Sequence, residues 1–366
     1  MFITQSRRRE DGTAEMSLTT GGPTGDIRPV VWDAATESVV VLDQTLLPLQ
    51  VVDVQCSDVA TLVDAISRLV VRGAPALGVT GAYGVALGMV QAQREGWSTQ
   101  VLNDAIDSVR NARPTAVNLA WGVDQVRPLV EDGLAAVLSA ADRVAAEDEQ
   151  ANRDLSRHGA DWLLEKLGDR RLRALTHCNT GSLATSTWGT GLGIIRELHA
   201  RDRIELVYAD ETRPLLQGSR LTAWELKENG IPYLVQVDGA AASTITRGLV
   251  DFAAIGADRI AFNGDTANKI GSLGVALACA DAGIPFVVAA PSSTVDLSYP
   301  TGENIEIELR PATEVTEYAG HQVAPESDRA FNPAFDVTPA RLVSAVVTEL
   351  GVAQPSQGES VERLVP

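Results

Sequence analysis

The side chains best suited to acid–base chemistry are concentrated in residues 256–271, which read GADRIAFNGDTANKIG. This stretch holds two carboxylates, Asp258 and Asp265, and the pair Asn268–Lys269, in a chain with only three lysines. Apolar runs precede and follow it, a pattern typical of a polar site presented by an apolar scaffold. A structural interpretation is equally open, in which Asp258 pairs with Arg259 and Asp265 caps a helix.

A second candidate for chemistry is Cys178, which ends a strand-like segment and precedes the small polar loop 180–182. The amino end of a following helix could lower the pKa of a thiol in that position. We expect Cys56 and Cys279, which lie within apolar patterns, to be buried and inert instead. His177 is adjacent to Cys178, but neighbouring side chains on a strand point to opposite faces, so a nucleophilic Cys–His pair is not expected.

Asp258 and Gln217 extend this set of candidates. Asp258 comes soon after the apolar run 252–255, so we expect burial to raise its pKa and make it a proton donor. A thiol and a carboxyl group together suit proton movement on a small substrate. Gln217 begins a predicted helix over residues 215–229, where its amide could bind a hydroxyl group; a glutamine on the helix surface is the alternative interpretation.

Two arginines that precede predicted helices are candidate ligands for an anion. Arg72 begins the glycine-rich segment 72–78, and Arg113 precedes Pro114, a residue suited to the first turn of a helix. The alternative for Arg72 is a surface position beside a glycine-rich helix contact. The glycine spacings at 78–84 and 189–194 do not match the dinucleotide-binding fingerprint, so no NAD and no other cofactor is expected.

The elements that must position these residues are predicted most clearly after Gly168. Five apolar segments, each followed by polar or small residues and then a helical pattern, predict a parallel, doubly wound sheet. The segments read RLRALTHC, IELVYA, PYLVQV, DFAAI and PFVVAA. Ligands bind beyond the carboxyl ends of such strands. This rule places six candidate side chains along one edge, namely Cys178, Asp210, Glu211, Asp238, Asp258 and Lys269.

The first half of the chain predicts a smaller mixed unit. Residues 29–53 contain short β-branched segments typical of a small antiparallel sheet. Residues 58–70 have helical spacing after Ser57, a candidate cap. Residues 134–167 form a long, charged, alanine-rich stretch that we interpret as two helices bridging two domains.

Composition and charge exclude several classes of protein. The chain has 366 residues, of which 45% are hydrophobic, and a formal net charge of −18, which disfavours nucleic-acid and anionic-membrane surfaces. Its three cysteines are scattered and form no CxxC pair, so neither a disulfide framework nor a metal site is predicted. No secretory signal and no apolar run of membrane-spanning length is present in the sequence. We therefore expect a cytoplasmic protein without nucleic-acid or membrane partners.

Six segments, in this order along the chain, resemble the methylthioribose-1-phosphate isomerase family of methionine salvage. They are RGAPALG at 72–78, RPTAVNL at 113–119, THCNTGSLAT at 176–185, ETRPLLQGSRLTA at 211–223, GADRIAFNGDTANKIGS at 256–272 and NPAFDVTP at 332–339. The resemblance covers roughly residues 27–351. Six segments in a conserved order are far more specific than any one of them.

The resemblance implies an N-terminal β/α domain followed by a Rossmann-like domain with a mainly parallel sheet, in a homodimer. The expected organisation is a disordered leader at 1–26, in which Met16 is an alternative start, domains at 27–145 and 146–352, and a loose tail at 353–366. The implied reaction is the aldose–ketose isomerisation of the sugar phosphate 5-methylthioribose 1-phosphate to 5-methylthioribulose 1-phosphate. Cys178 and Asp258 become the catalytic pair, and the implied substrate contacts are Arg72, Gly73, Ala74, Arg113, Gln217, Asn268 and Lys269.

Some positions depart from the family pattern, among them Ser182, residues 186–188, Phe262 and residues 272–273. Trp188 and Phe262 are close in sequence to the catalytic pair, so the substituent at C5 of the sugar stays open. Isomerases of 5-deoxyribose 1-phosphate and of ribose 1,5-bisphosphate are alternatives with the same fold. Non-enzymatic regulatory subunits of a translation-initiation exchange factor, which share the second domain, are a further alternative.

Overall fold

A computed structural model of the chain describes Thr19 and residues 26–114, 116–326 and 328–366. The chain divides into two units, Met1–Gln150 with Ser182–Gly189, and Ala151–Gly181 with Thr190–Pro366. We predicted a domain boundary between residues 145 and 146, and this prediction did not include the assignment of Ser182–Gly189 to the first unit. Of the expected leader, residues 1–18 and 20–25 lie outside the described residues, whereas Thr19 is buried and its hydroxyl donates a hydrogen bond to Asp53.

The first unit combines a small sheet with helices around one apolar core. Its strands are β1 (Val30–Asp33), β2 (Ser38–Leu42) and β3 (Asp53–Cys56), and its helices are α1 (Val59–Ser67), α2 (Ala74–Glu95), α3 (Thr99–Arg110), α4 (Val117–Val126) and the first part of α5 (Leu134–Leu167). The sheet is antiparallel in the order β1-β2-β3, as predicted. The cap of α1 is Asp58, not Ser57, because the Asp58 carboxylate accepts the amide hydrogen of Thr61 at 2.8 Å.

Helices α2 and α4 approach each other closely enough to require glycine. A Cβ added to Gly122 in α4 would lie 1.9 Å from the carbonyl oxygen of Gly78 in α2. The glycine-rich helix contact expected after Arg72 is thereby confirmed. The prediction that Pro114 lies in the first turn of a helix was wrong, because α4 begins at Val117 after Ala116.

Residues 134–167 form a single helix of 34 residues, not the two that we predicted. No proline interrupts this segment, and its buried side chains recur at helical spacing, for example Val137, Ala141, Leu155 and Leu163. Continuous burial of one face favours one long helix over two short ones. No helix in the described part of the chain is long and apolar enough to cross a membrane.

The second unit is built on a seven-stranded sheet in the order β16-β15-β10-β7-β4-β5-β6. Its elements are β4 (Leu172–Thr176), α6 (Gly191–Ala200), β5 (Ile204–Asp210), α7 (Ala223–Glu228), β6 (Tyr233–Gln236), α8 (Ala241–Thr246), β7 (Phe252–Ile255), β8 (Arg259–Ala261), β9 (Thr266–Lys269), α9 (Ser272–Ala282), β10 (Phe286–Ala289), β11 (Val295–Asp296), α10 (Thr313–Thr316), β12 (Glu317–Tyr318), β13 (His321–Gln322), β14 (Phe335–Thr338), β15 (Ala345–Thr348) and β16 (Gly351–Ala353). All pairs in this sheet are parallel except β15–β16.

The mainly parallel sheet and all five of its predicted strands are confirmed, while β15 and β16 were not predicted. Successive residues of β7 face opposite apolar layers: Phe252 and Ala254 belong to one core, Ala253 and Ile255 to the other. Helices α5 and α6 cover the first layer, and α8 and α9 cover the second, so the sheet is wound on both faces.

A second, four-stranded sheet in the order β11-β8-β9-β14 carries much of the polar stretch 256–271. Its hairpin β8–β9 was not predicted. The predicted helix over residues 215–229 is shorter than expected, because a turn of π-helix at Gly218–Thr222 precedes α7.

The tail that we expected to be loose is packed against the protein. Val361 and Leu364 are 0% and 1% exposed and belong to the same apolar cluster as Val346. The polar composition of residues 353–360 concealed these two apolar anchors. Burial of two large apolar side chains offsets the entropy cost of ordering the segment.

Candidate active site

Cys178 and Asp258 flank the point at which the order of the parallel strands reverses. From β4 the chain adds β5 and β6 on one side, and it then returns to place β7, β10 and β15 on the other. Strands β4 and β7 are parallel neighbours with Leu175 opposite Ala253, so the residues that follow both strands emerge at the same edge. Ligands of doubly wound sheets bind at such a reversal, beyond the carboxyl ends of the strands.

The backbone of Cys178 is held in a conformation that most residues avoid. Its φ is 64° and its side chain is buried. The amide of Cys178 donates to the hydroxyl of Thr212 at 2.8 Å, and its carbonyl oxygen accepts the hydroxyl of Thr222 at 2.6 Å. Thr212 itself has a φ of 62°, which is unusual for a β-branched residue. Strained residues that are fixed from both sides occur preferentially at functional sites.

Gln217 lies between Thr212 and Thr222 in the sequence. It is only 6% exposed, so the interpretation that it is a glutamine on the helix surface is wrong. Among the described residues, its Oε1 atom has no hydrogen-bond partner although it is buried. A buried amide oxygen without a partner costs free energy unless a ligand supplies a donor. This is the behaviour expected of a residue that binds a substrate hydroxyl.

Asp258 and the Asn268–Lys269 pair are joined through the hairpin β8–β9. The amide of Asp258 donates to the carbonyl oxygen of Ala267 at 2.9 Å. The expected burial of Asp258 is wrong: its side chain is exposed, because the residue lies on the turn between β7 and β8. Its proposed role as an acid therefore does not follow from burial.

Lys269 is oriented by strand β14, which pairs with β9. Its ammonium group donates to the carbonyl oxygen of Ala334 at 2.8 Å and lies 4.8 Å from the centre of the Phe335 ring. A lysine ammonium has three N–H donors, so donors are left for an anion. The amide of the buried Asn268 donates to the Ser272 hydroxyl at 2.9 Å, at the start of α9.

Asp265 acts as a structural acceptor. Its two carboxylate oxygens accept the amide hydrogens of Gly302 and Ala340 at 2.9 and 2.8 Å. Burial raises the pKa of Asp265, but the hydrogen bond from Asn263 and those from the two amides lower it further than burial raises it. Asp265 therefore fixes backbone in the second unit and is no candidate for catalysis.

His177 is a residue of this site that the sequence did not lead us to select. Its Nδ1 atom lies 2.9 Å from Oδ2 of Asp210, and its Nε2 atom lies 2.8 Å from the carbonyl oxygen of Ile270. Both ring nitrogens are thus engaged away from Cys178, in agreement with the expectation that the two residues form no nucleophilic pair. The sequence signal was the position of His177 at the end of a predicted strand.

His177, Asp210 and Asp238 bring three atoms of metal-ligand type within 4.8 Å of one another. Each of these atoms already has a hydrogen-bond partner. Asp210 accepts a further hydrogen bond from Gln236, and Asp238 accepts the amide hydrogens of Thr212 and Arg213. Hydrogen bonds within the chain account for the cluster, and we assign no metal to it.

In the first unit, the four remaining predicted contacts lie at the start of α2 or before α2 and α4. Arg72, Gly73 and Ala74 enter α2, and Arg113 lies four residues before α4. Gly73 has a φ of 98°, and a Cβ at this position would lie 2.4 Å from the backbone of Ala184. Both helices begin within about two turns of their close contact, so the two half-buried arginines lie near the same end of this helix pair.

The two cysteines predicted to be inert have the expected surroundings. Burial, with smaller contributions from nearby carboxylates, raises the pKa of both Cys56 and Cys279 to about 12. All three cysteines of the chain are free thiols. Two of the departures from the family pattern are close in sequence to the catalytic pair: Trp188 lies in the first unit with a φ of 73°, and Phe262 lies in the second and is 42% exposed.

The chain is similar to known proteins over most of its length. A model of the Initiation factor 2 subunit family matches residues 70–355. A probable bifunctional methylthioribose-1-phosphate isomerase/methylthioribulose-1-phosphate dehydratase from Nocardia farcinica is 48% identical over 89% of this chain, which spans only 59% of that longer protein. A methylthioribose-1-phosphate isomerase from Alkalilimnicola ehrlichii is 45% identical, over 93% of this chain and 98% of the relative.

Two solved structures have closely similar folds. One is 5-methylthioribose 1-phosphate isomerase from Pyrococcus horikoshii OT3, with a TM-score of 0.83 and 36% identity over 90% of this chain and 92% of that one. The other carries the description of translation initiation factor eIF-2B, subunit delta, from A. fulgidus, with a TM-score of 0.81 and 38% identity over 92% and 98%. The fold therefore does not separate an enzyme from an initiation factor, and the chemistry of the site must do so.

Proposed function

The chain belongs to the Initiation factor 2 subunit family, among its methylthioribose-1-phosphate isomerases, and we propose that it converts 5-methylthioribose 1-phosphate to 5-methylthioribulose 1-phosphate. One observation carries the proposal: Cys178 and Asp258 follow two neighbouring parallel strands, β4 and β7, where the strand order reverses. The hairpin that begins after Asp258 also carries Asn268 and Lys269. A thiol, a carboxyl group and a cation are thereby available to one small anionic substrate.

The substrate sets the chemical requirements. Its anomeric oxygen carries the phosphate, so the sugar ring cannot open spontaneously to a free aldehyde. We propose that the bond between C1 and the ring oxygen breaks as Asp258 donates a proton to that oxygen, and that C1 gains the hydrogen that C2 loses. The C2 hydroxyl proton leaves as the C2 carbonyl forms, which restores the proton balance and yields the ketose. Substrate bound over Asp258 would exclude water from this exposed carboxyl group and strengthen its interactions.

Two routes move the hydrogen from C2 to C1. In one, Cys178 accepts the C2 proton through an enolate-like intermediate and returns it to C1. In the other, Cys178 shapes a dry surface for direct hydride transfer. Conversion in deuterated water tests the first route: deuterium at C1 of the product requires proton transfer, whereas its absence counts against free exchange of that proton with solvent.

The remaining predicted residues supply binding. Lys269, with donors to spare beyond its bond to Ala334, is suited to a negative group, and Gln217 offers its buried oxygen to a hydroxyl. Arg72 and Arg113 precede helices whose amino ends favour anions, which suits a phosphate. Gly73 and Ala74 contribute backbone at the start of α2, where a side chain at Gly73 would not fit.

Turnover of the purified protein with 5-methylthioribose 1-phosphate tests the function directly. We expect Cys178→Ser and Asp258→Asn to lose activity by at least 100-fold while keeping the far-ultraviolet circular dichroism of the parent. Near-parental kcat in both variants would refute the catalytic assignment. Asp265→Asn is the matched control, because the Asp265 carboxylate accepts backbone amides of the same unit and its own amide donates to the Asn263 side-chain oxygen.

The competing functions differ in measurable ways. A substrate panel with 5-deoxyribose 1-phosphate and ribose 1,5-bisphosphate decides which group is accepted at C5. A regulatory subunit without enzymatic activity would turn over none of the three. The chain retains Cys178, Asp258 and Lys269 together, and this combination favours an enzyme.

We also infer a cytoplasmic homodimer. Strand β6 is the edge of the seven-stranded sheet, and three of the apolar side chains on and just after it are exposed: Leu234 by 52%, Val235 by 44% and Val237 by 61%. An exposed apolar edge strand of this kind is usually covered by a partner. Sedimentation should give a dimer that Val237→Lys weakens; a monomer at micromolar concentration would refute the homodimer.

The inference of a cytoplasmic location rests on the three free thiols, which suit a reducing compartment.

A further inference from the structure

His177 is a deeply buried titratable group next to Cys178 in the chain. The residue is 1% exposed, and both of its ring nitrogens lie within hydrogen-bond distance of an oxygen atom. The proposed mechanism gives it no role. Its two partners are Asp210 at the end of β5 and the peptide of Ile270, which directly follows Lys269.

The two partners determine how many protons the imidazole carries. A backbone carbonyl oxygen can only accept, so Nε2 must carry a hydrogen to bond with Ile270. Asp210 uses its other carboxylate oxygen to accept the Gln236 amide at 2.8 Å, which suits an ionised carboxylate. An ionised Asp210 can only accept as well, and Nδ1 must then carry a second hydrogen.

The charges around His177 favour the same protonation state. Asp210 is in direct contact, and the carboxylates of Asp238, in the turn after β6, and of Asp336, on β14, also act on the ring. Burial lowers the pKa of His177, but the hydrogen bond and charge of Asp210, the Ile270 carbonyl and Asp238 together raise it above its ordinary value.

We propose that His177 is a permanent imidazolium at neutral pH and that it acts as a positioning residue, joining the Cys178 turn to the segment that carries Asn268 and Lys269. The link runs from β4, through the ring, to the peptide of Ile270 at the end of β9. On the opposite side, the Asp336 carboxylate accepts the amide hydrogens of Gly271 and Leu273 at 2.8 and 3.2 Å. The segment after Lys269 is thereby fixed between a cation and an anion.

The positioning role rests on the proposed function, whereas the protonation state does not. A neutral imidazole would keep its one hydrogen on Nδ1 for Asp210 and turn a bare Nε2 toward the Ile270 oxygen. The two acceptors would repel each other, and the link to β9 would be lost. Because the folded pKa is raised, the link is fully present at low and neutral pH and is lost as pH rises through the folded pKa.

The first experiment determines how many of the two ring nitrogens of His177 carry a hydrogen. Nitrogen-15 spectra of histidine-labelled protein, assigned with His158→Gln, His199→Gln and His321→Gln, report whether each ring nitrogen carries a hydrogen. At about pH 8 an ordinary histidine with a pKa of about 6.5 is neutral. We expect His177 to show two protonated nitrogens at this pH. One bare nitrogen on His177 would overturn the imidazolium.

The second experiment measures positioning with 5-methylthioribose 1-phosphate. His177→Gln keeps a similar size but offers one donor nitrogen where two separate ones are required, and we expect kcat/KM to fall about 100-fold. His158→Gln is the matched control, since His158 contacts the Thr348 carbonyl through Nδ1 at 3.0 Å, away from the strand reversal, and should keep parental kinetics.

The Asp210→Asn variant tests the positioning role through the pH dependence of kcat/KM, which would not change if His177 had only a structural role. Removing the charge should make His177 lose its second proton near neutral pH, so the alkaline loss of kcat/KM should shift to lower pH. An unshifted pH profile, or a folded His177→Gln within twofold of the parent, would overturn the positioning role. An inactive parent protein would refute both the proposed function and the positioning role of His177. The nitrogen-15 spectra would still decide the protonation state of His177 independently.

Discussion

Asp251 lies at the edge of the sheet opposite to the proposed site, and we expect its ionised carboxylate to stabilise the fold in a pH-dependent way. Asp251 directly precedes β7, and its side chain is 10% exposed. Its carboxylate accepts the amide of Arg173 at 2.7 Å and the guanidinium groups of Arg173 and Arg170 at 3.0 to 3.1 Å. Burial would raise the pKa of Asp251, but these hydrogen bonds lower it to about 2.

The magnitude follows from linkage between protonation and folding. A pKa of 3.8 in the unfolded chain and about 2 in the folded protein means that ionised Asp251 stabilises the fold above about pH 4. Each pH unit between the two values corresponds to about 1.4 kcal/mol. Because the side chain of Arg170 is 50% exposed and its charge is screened by solvent, we expect Asp251→Asn to cost about 2 kcal/mol at pH 7.

Urea unfolding followed by tryptophan fluorescence measures this difference. The cost of Asp251→Asn should fall to roughly half at pH 3, because below about pH 4 the Asp251 carboxyl binds a proton in the unfolded parent chain while it stays mostly ionised in the folded protein. Asp202→Asn is the matched control: its ion pair with Arg171 is exposed at both ends and should contribute at most about 0.5 kcal/mol. The kcat/KM of Asp251→Asn should equal that of the parent.

Two results would refute the reasoning about Asp251. One is a destabilisation of the same size at pH 3 and pH 7, which would mean that the charge is not its source. The other is an equal effect of Asp251→Asn and Asp202→Asn, which would mean that burial of the ion pair contributes nothing.

Three further outcomes are expected. Gln217→Met removes a buried oxygen that has no partner among the described residues, so kcat/KM should fall about 10- to 100-fold with no loss of thermal stability; unchanged kinetics would contradict a substrate contact. Because the pKa of Cys56 and Cys279 is raised to about 12, native Cys178→Ser should resist iodoacetamide at pH 8, and rapid labelling would show that these thiols are accessible. Leu364→Ala should lower the free energy of unfolding by about 2 to 5 kcal/mol, whereas a change below about 0.5 kcal/mol would indicate a loose tail after all.

Much of the sheet could be predicted because its strands are read from local pattern. Each of the five predicted strands is a short apolar run that ends at polar or small residues, and all five lie in the seven-stranded sheet. Strands β15 and β16 were missed because they follow loops without a preceding helix of appreciable length, so the alternation of strand and helix stops. The long helix α5 was divided in error, since its charged centre conceals continuous burial on one face.

Other outcomes depended on contacts between residues far apart in the chain. The exposure of Asp258 follows from the turn that leads into an unpredicted hairpin. The partners of His177 are 33 and 93 positions away, and no local pattern announces them. Local sequence indicates which residues a strand exposes at its end, but not what the neighbouring strands bring to meet them.

The sequence by itself determined the reactive residue types, the strands that carry them and the family, because these are properties of residue identity and short-range spacing. Only the tertiary structure decided that Cys178 is fixed in a strained turn by two threonines, that Gln217 is buried, and that a histidine joins two strand ends. The physical reason is that burial, hydrogen-bond partners and protonation are set by surrounding atoms, and folding brings most of those atoms from distant parts of the chain.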